Sequence, residues 1–128
     1  MKDLARKVHR QVKDLFIWTA DKEVFGESDH WKSFADEVER GDVFKGDCDD
    51  FSLSCSELLI RQGTDPTKIR IAYCKTETGV GHLVCICDGW VIDNRQRDII
   101  AWDDLPYEWH KSMRIDEKGI WRSINYGC

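Results

Sequence analysis

Six cysteines and four histidines stand among the 128 residues, and one of each is placed to work with the other. Cys48 lies in Gly46-Asp47-Cys48-Asp49-Asp50-Phe51, where irregular sequence gives way to helical periodicity. A thiol at a helix start meets free N–H groups and the positive end of the dipole, both of which favour thiolate. A thiolate nucleophile needs a base, and the base needs a group that orients it. His82 offers an imidazole just after Gly79-Val80-Gly81, and Asp93 ends the next extended run. With a two-residue turn at Asp88-Gly89, paired positions sum to about 177, so His82 faces roughly position 95. Asp93 then lies close enough across the ladder to hold the imidazole tautomer and support an imidazolium. Singly, each residue has a plainer reading: a buried thiol, a strand-end histidine on a carbonyl, a turn aspartate. Together, in the order Cys, His, Asp, on a helix start and one hairpin, they point to acyl chemistry through a thioester. His9 on a helix flank, His30 near an N-cap and His110 in an irregular segment lack a strand partner carrying an acid.

The elements that must position these residues follow from periodicity. Leu4, Val8, Val12, Leu15 and Phe16 recur at helical spacing, which predicts an amphipathic helix over 3–18. Trp31, Phe34, Ala35 and Val38 predict a second, with Ser28 or Asp29 as N-cap and Gly41 beyond its end. A third runs over 48–62, burying Phe51, Cys55, Leu58 and Leu59 and stopped by Gly63. The period then changes. Ile69, Ile71 and Tyr73 alternate as in a strand; 82–87 is an apolar run suited to a central strand; 90–93 follows the Asp88-Gly89 turn. Residues 98–109 read as an irregular, aromatic-rich connection, and 112–115 with 120–124 as a last hairpin around Lys118-Gly119. Helices first, then an antiparallel meander, argue for an α+β fold in one domain over 1–128.

Composition narrows the classes of function. Hydrophobic residues make up 41% and charged residues 34%, with a net charge of −5. That balance argues against a nucleic-acid binder. No apolar run is long enough to span a membrane, and the N-terminus shows no apolar core of an export signal, so the expectation is a cytoplasmic protein without a membrane partner. Without export, the cysteines are expected as thiols rather than disulfides. Cys74, Cys85 and Cys87 sit in strand-like runs as small hydrophobes, and Cys85-Ile86-Cys87 lacks zinc-knuckle spacing. The charge is uneven: residues 27–57 hold ten acids against three basic residues. Cys48 therefore sits in the most acidic stretch, where neighbouring carboxylates oppose its ionisation.

On Asp29-His30-Trp31, Gly46-Asp47-Cys48-Asp49-Asp50-Phe51, Gly81-His82-Leu83-Val84, Trp90-Val91-Ile92-Asp93-Asn94 and Trp102-Asp103-Asp104-Leu105-Pro106, the chain resembles the bacterial transglutaminase-like cysteine proteinase family. The likeness runs from about residue 25, its specific part being the segment around Cys48. Well-known members are periplasmic proteases that cut a large adhesin and release biofilm cells. The resemblance implies a papain-like, transglutaminase-like core, with the nucleophile at a helix N-terminus packed on an antiparallel sheet. It implies Cys48, His82 and Asp93 as a catalytic triad, and hydrolysis of a peptide or amide bond in a protein or peptide substrate. It also implies calcium, held by Asp47 and Asp49, with Asp50 a further ligand; a divalent cation would offset the carboxylates beside the thiol. The competing role for these acids is capping the helix and complementing its dipole. No organic cofactor is expected. The oxyanion hole is expected to use the backbone N–H of Cys48, with the Trp31 indole as second donor or else as a core residue; Trp18, Trp90, Trp102, Trp109 and Trp121 read as core or groove wall. The chain is shorter than the periplasmic proteases and lacks their export signal, which suggests a different substrate and a trimmed version, intracellular or carried by a mobile element such as a phage. A monomer is expected. Two other readings share the site: acyl transfer to an amine, as in transglutaminases, and a non-catalytic binding module that keeps the fold.

Overall fold

The computed structural model describes residues 2–19 and 32–124. The expected N-caps Ser28 and Asp29, together with His30, Trp31 and Cys128, lie outside the described residues. Helix α1 spans Lys2–Leu15 and strand β1 Phe16–Trp18. Helix α2 spans Ala35–Arg40, β2 Phe44–Gly46 and helix α3 Cys48–Arg61. The sheet strands are β3 Ile69–Lys75, β4 Gly81–Cys87, β5 Trp90–Ile92, β6 Ile100–Ala101, β7 Glu108–Arg114 and β8 Arg122–Ser123. The α+β reading holds.

Helix α1 is shorter than its periodicity predicts. Its inward stripe of Ala5, Val8 and Val12 is fully buried, but Phe16 leaves the helix to pair with Phe44 in a parallel β1–β2 ribbon. The reason is aromatic packing: Phe16 lies 5.5 Å from Phe44 and 5.1 Å from Phe51, and Phe34 stacks on Phe44 at 4.8 Å. Side-chain pairs of this kind outweigh a last helical turn whose propensity is only a few tenths of a kcal/mol. The ribbon was not legible from periodicity, since three residues per strand are too few to show one.

Helix α3 agrees closely with expectation. Phe51, Cys55, Leu58 and Leu59 are fully buried, each contributing about 1.5–3 kcal/mol for the larger side chains. They pack on Ile69, Ile71, Leu83, Cys85 and Ile92 of the sheet. Asp88 and Gly89 both take positive φ, 50° and 85°, as a tight two-residue hairpin requires. The β4–β5 register pairs Cys85 with Ile92 and Cys87 with Trp90, the register expected from the turn.

The sheet order is β6-β5-β4-β3-β7-β8, with antiparallel pairing throughout. This corrects the meander: β7 does not follow β6 but pairs with β3 on the other side. The connection through 102–107 therefore crosses the sheet face opposite the helices. Leu105 and Tyr107 are buried there with Ala72, Cys74, Val84, Val91 and Trp109. The crossing explains why 98–109 reads as irregular yet aromatic. His110, expected in irregular chain without an acidic partner, lies on β7 and bonds Glu108 at 3.1 Å; that pair is exposed and remote in sequence from Cys48. Among the described residues no helix is long and apolar enough to cross a membrane, and the five described cysteines form no disulfide with one another.

Candidate active site

Strand β2 delivers the chain to Cys48. It ends at Gly46, Asp47 caps α3, and Cys48 is the first helical residue. The cap is a capping box: Asp47 Oδ1 accepts from the amides of Asp49 at 3.0 Å and Asp50 at 3.4 Å, while Asp50 Oδ2 accepts from the Asp47 amide at 3.2 Å. The Cys48 amide is not among the donors the cap uses. Asp50 is fully buried, and its Oδ1 also accepts from the Lys32 amide at 2.8 Å. Both of its oxygens, at the start of the helix, thus serve backbone amides. Gly46 is dictated by the same box, because a Cβ there would stand 2.8 Å from both Asp50 Cβ and Oδ2.

The Cys48 thiol is half-buried and points its proton at Asp49 Oδ1, 3.5 Å away. Burial, then the charges of Asp49 and Asp47, push it well above the ordinary thiol value; the Leu83 amide, hydrogen-bonded to the sulfur, works the other way. The expectation of a lowered value at the helix start is thus overturned, because desolvation and two carboxylates outweigh the helix end. The Leu83 contact sets the sulfur beside the residue that follows His82, and the Ser52 hydroxyl on the next turn donates to the Leu83 carbonyl at 3.1 Å.

His82 and Asp93 meet as the hairpin predicts. His82 Nε2 lies 2.7 Å from Asp93 Oδ1, and both side chains are buried. With Nε2 donating to the carboxylate, Nδ1 is the ring nitrogen left to act as a base. Asp93 is held from three more sides. The Arg95 amide donates to Oδ1 at 2.9 Å and the Tyr107 hydroxyl to Oδ2 at 2.6 Å. His9, from α1, reaches the Asp93 carbonyl with Nε2 at 2.9 Å. Burial would raise the Asp93 carboxyl, but the bonds from His82, Tyr107 and the Arg95 amide and the His82 charge hold it below the usual carboxylate value. His9 is lowered by burial and by Lys13, against its bond to the Asp93 carbonyl, so it is a neutral donor.

Sequence reasoning missed His9, Arg95 and Tyr107. The buried position of His9 was legible, since it follows Val8 on the inward side of α1; its partner was not. Trp31 lies outside the described residues. Among the described residues, no three His, Cys, Asp or Glu side chains gather to hold a metal. Asp47 and Asp49 are oxygen donors of the kind a hard cation takes, but two carboxylates, one partly spent on the cap, are only part of a six-to-eight-oxygen shell.

A thiol at a helix start beside a strand-borne imidazole–carboxylate pair, on an antiparallel sheet, is the arrangement of papain-like and transglutaminase-like folds. Residues 1–127 match the family described as bacterial transglutaminase-like cysteine proteinase, BTLCP, and the chain belongs to that family of cysteine proteinases. The match begins upstream of the expected residue 25. Among solved structures, calcium-bound LapG of Legionella pneumophila shares 22% identity and a TM-score of 0.71, over 88% of this chain and 64% of that one. EGTA-treated LapG from the same organism shares 20% identity and a TM-score of 0.75, over 99% and 69%. This chain thus spans about two-thirds of the length of those proteins. No curated protein sequence matches it.

Proposed function

We propose that the chain is a cysteine peptidase or amidase in which Cys48 attacks, His82 acts as base and then acid, and Asp93 orients His82. The observation that carries this reading is the buried 2.7 Å His82–Asp93 bond on the strand whose Leu83 amide touches the Cys48 sulfur. The Cys48 proton passes to His82 Nδ1 as sulfur bonds the carbonyl carbon. The oxyanion so formed takes the Cys48 amide as one donor. His82 gives its proton to the leaving amine as the C–N bond breaks. Water then adds to the thioester, again giving a proton to His82, and the carboxylic acid departs with the thiol restored. Asp93 stays ionised throughout and supports the imidazolium.

A protein or peptide is the substrate class, and calcium belongs to the same proposal. Asp47 and Asp49 would hold the ion, which when bound offsets the negative field that keeps the thiol protonated. The calcium-bound and EGTA-treated forms of LapG support that reading by likeness. The test is digestion of a random peptide mixture by purified chain, followed by mass spectrometry. Wild type should release new termini, and Cys48→Ala should release none. A labelled primary amine in the mixture separates hydrolysis from acyl transfer. Equal cleavage by Cys48→Ala, or labelled amine on every product, overturns the hydrolase reading. A chelator that leaves cleavage untouched removes calcium from it.

A further inference from the structure

We infer that Tyr107 is a positioning residue for the His82–Asp93 pair, locked in that role by Arg95, Gln96 and Glu77. The inference rests on the function proposed above. Tyr107 reaches the pair only because the 102–107 crossing lies against the sheet face opposite the helices. Its oxygen accepts from Arg95 Nη1 at 3.0 Å and from Gln96 Nε2 at 3.2 Å. A phenol has one proton and two lone pairs. With those two donors on its oxygen, the phenol proton is directed to Asp93 Oδ2 at 2.6 Å. The two donors also polarise the hydroxyl, which strengthens that bond. Burial and the Asp93 charge push the phenol up to about 12, so it remains a donor at any working pH.

Arg95 is itself fixed. Its guanidinium pairs with Glu77 at 2.8 and 3.3 Å and lies over the Tyr107 ring at 5.7 Å. Glu77 sits in the tight loop between β3 and β4, closed by the Gly79 amide on the Thr76 carbonyl at 2.8 Å. That loop leads directly into Gly81-His82. One chain of contacts, Glu77–Arg95–Tyr107–Asp93, therefore joins the segment before the base to the carboxylate that orients it. Tyr107 also meets the His82 ring edge-on at 6.0 Å. The carboxylate is thus gripped on Oδ2 by the phenol, and His82 has only Oδ1 to follow. The charged and titratable groups around Asp93 include His82 on β4, Cys74 on β3, Glu77 in the β3–β4 loop, Arg95 and Tyr107, with His9 of α1 on its carbonyl.

The experiment uses the full chain with histidine labelled by nitrogen-15, comparing wild type, Tyr107→Phe, Arg95→Ala and His82→Ala. Nuclear magnetic resonance reads the His82 tautomer, and iodoacetamide reads Cys48 at fixed pH. Without the phenol on Oδ2, the Asp93 carboxylate is free to turn, and its bond to His82 Nε2 is no longer fixed in place. Tyr107→Phe should therefore mix the two His82 tautomers and slow Cys48 alkylation several-fold; Arg95→Ala should do the same more weakly. A fall in melting temperature with an unchanged tautomer and rate means a merely structural tyrosine and overturns the inference. If His82→Ala leaves alkylation unchanged, the base assignment itself fails. If His82→Ala slows it and Tyr107→Phe does not, only the positioning role falls.

Discussion

Asp49 is the residue that most directly opposes its neighbour's chemistry. Its carboxylate lies 3.5 Å from the Cys48 sulfur and, after burial, is the largest influence holding the thiol up. Removing that charge should ease ionisation. Asp49→Asn is predicted to alkylate with iodoacetamide several-fold faster than wild type at pH 7 in the presence of a chelator. If calcium is the native means of offsetting the charge, the variant should also lose most of its response to calcium. Unchanged alkylation in Asp49→Asn contradicts the electrostatic account. Gly46 makes a second residue-scale prediction. Gly46→Ala forces a Cβ to 2.8 Å from Asp50 Cβ, which has no freedom to yield inside the capping box. The cost is about 1–3 kcal/mol, read as a shift in the urea midpoint. Gly81→Ala meets the Tyr73 hydroxyl at 2.7 Å, the far end of a side chain that can swing, and should cost less.

At the scale of elements, α1 secures the loop that carries Asp93. His9 bonds the Asp93 carbonyl, Lys13 the Asn94 carbonyl at 2.7 Å, and Arg6 the Asp98 carboxylate at 3.1 Å. His9 titrates below its ordinary value. Between the ordinary value near 6.5 and the lower folded one, the unfolded chain binds a proton that the folded chain refuses. Stability should therefore fall as pH falls through that window, followed at lower pH by the loss of what Asp93 contributes. His9→Leu removes the first loss and costs about 1–3 kcal/mol at pH 7 for the buried bond. Melting curves from pH 7.5 to 5 in both proteins check this; parallel curves contradict it. The elements also mark where sequence reading works. The α3 stripe and the Asp88-Gly89 hairpin follow from local rules, so they are legible. Phe16 turning from helix to ribbon, β7 crossing to β3, and Tyr107 arriving under Asp93 depend on partners 28, 38 and 14 residues away, which no local period encodes.

Over the whole molecule, helices cover one sheet face and the 102–107 crossing the other, with separate apolar clusters on each. Both clusters draw on β3 and β4, so they should melt together. A single transition by circular dichroism, the same by tryptophan fluorescence, is the expected result. Two transitions would divide it. The chain spans about two-thirds of LapG, and the proposed Cys48, His82 and Asp93 all fall within the described residues. His82 and Asp93 were legible because one hairpin joins them. The clamps on Asp93 were not, because they come from both ends of the chain. The most direct test of the central claim is mass-spectrometric mapping of iodoacetamide labelling at every cysteine, in wild type and in His82→Ala. Cys55, Cys74, Cys85 and Cys87 are fully buried and Cys48 is not. The account predicts that Cys48 labels first among these five and that His82→Ala slows it about tenfold or more; a Cys48 rate that ignores His82 would contradict it.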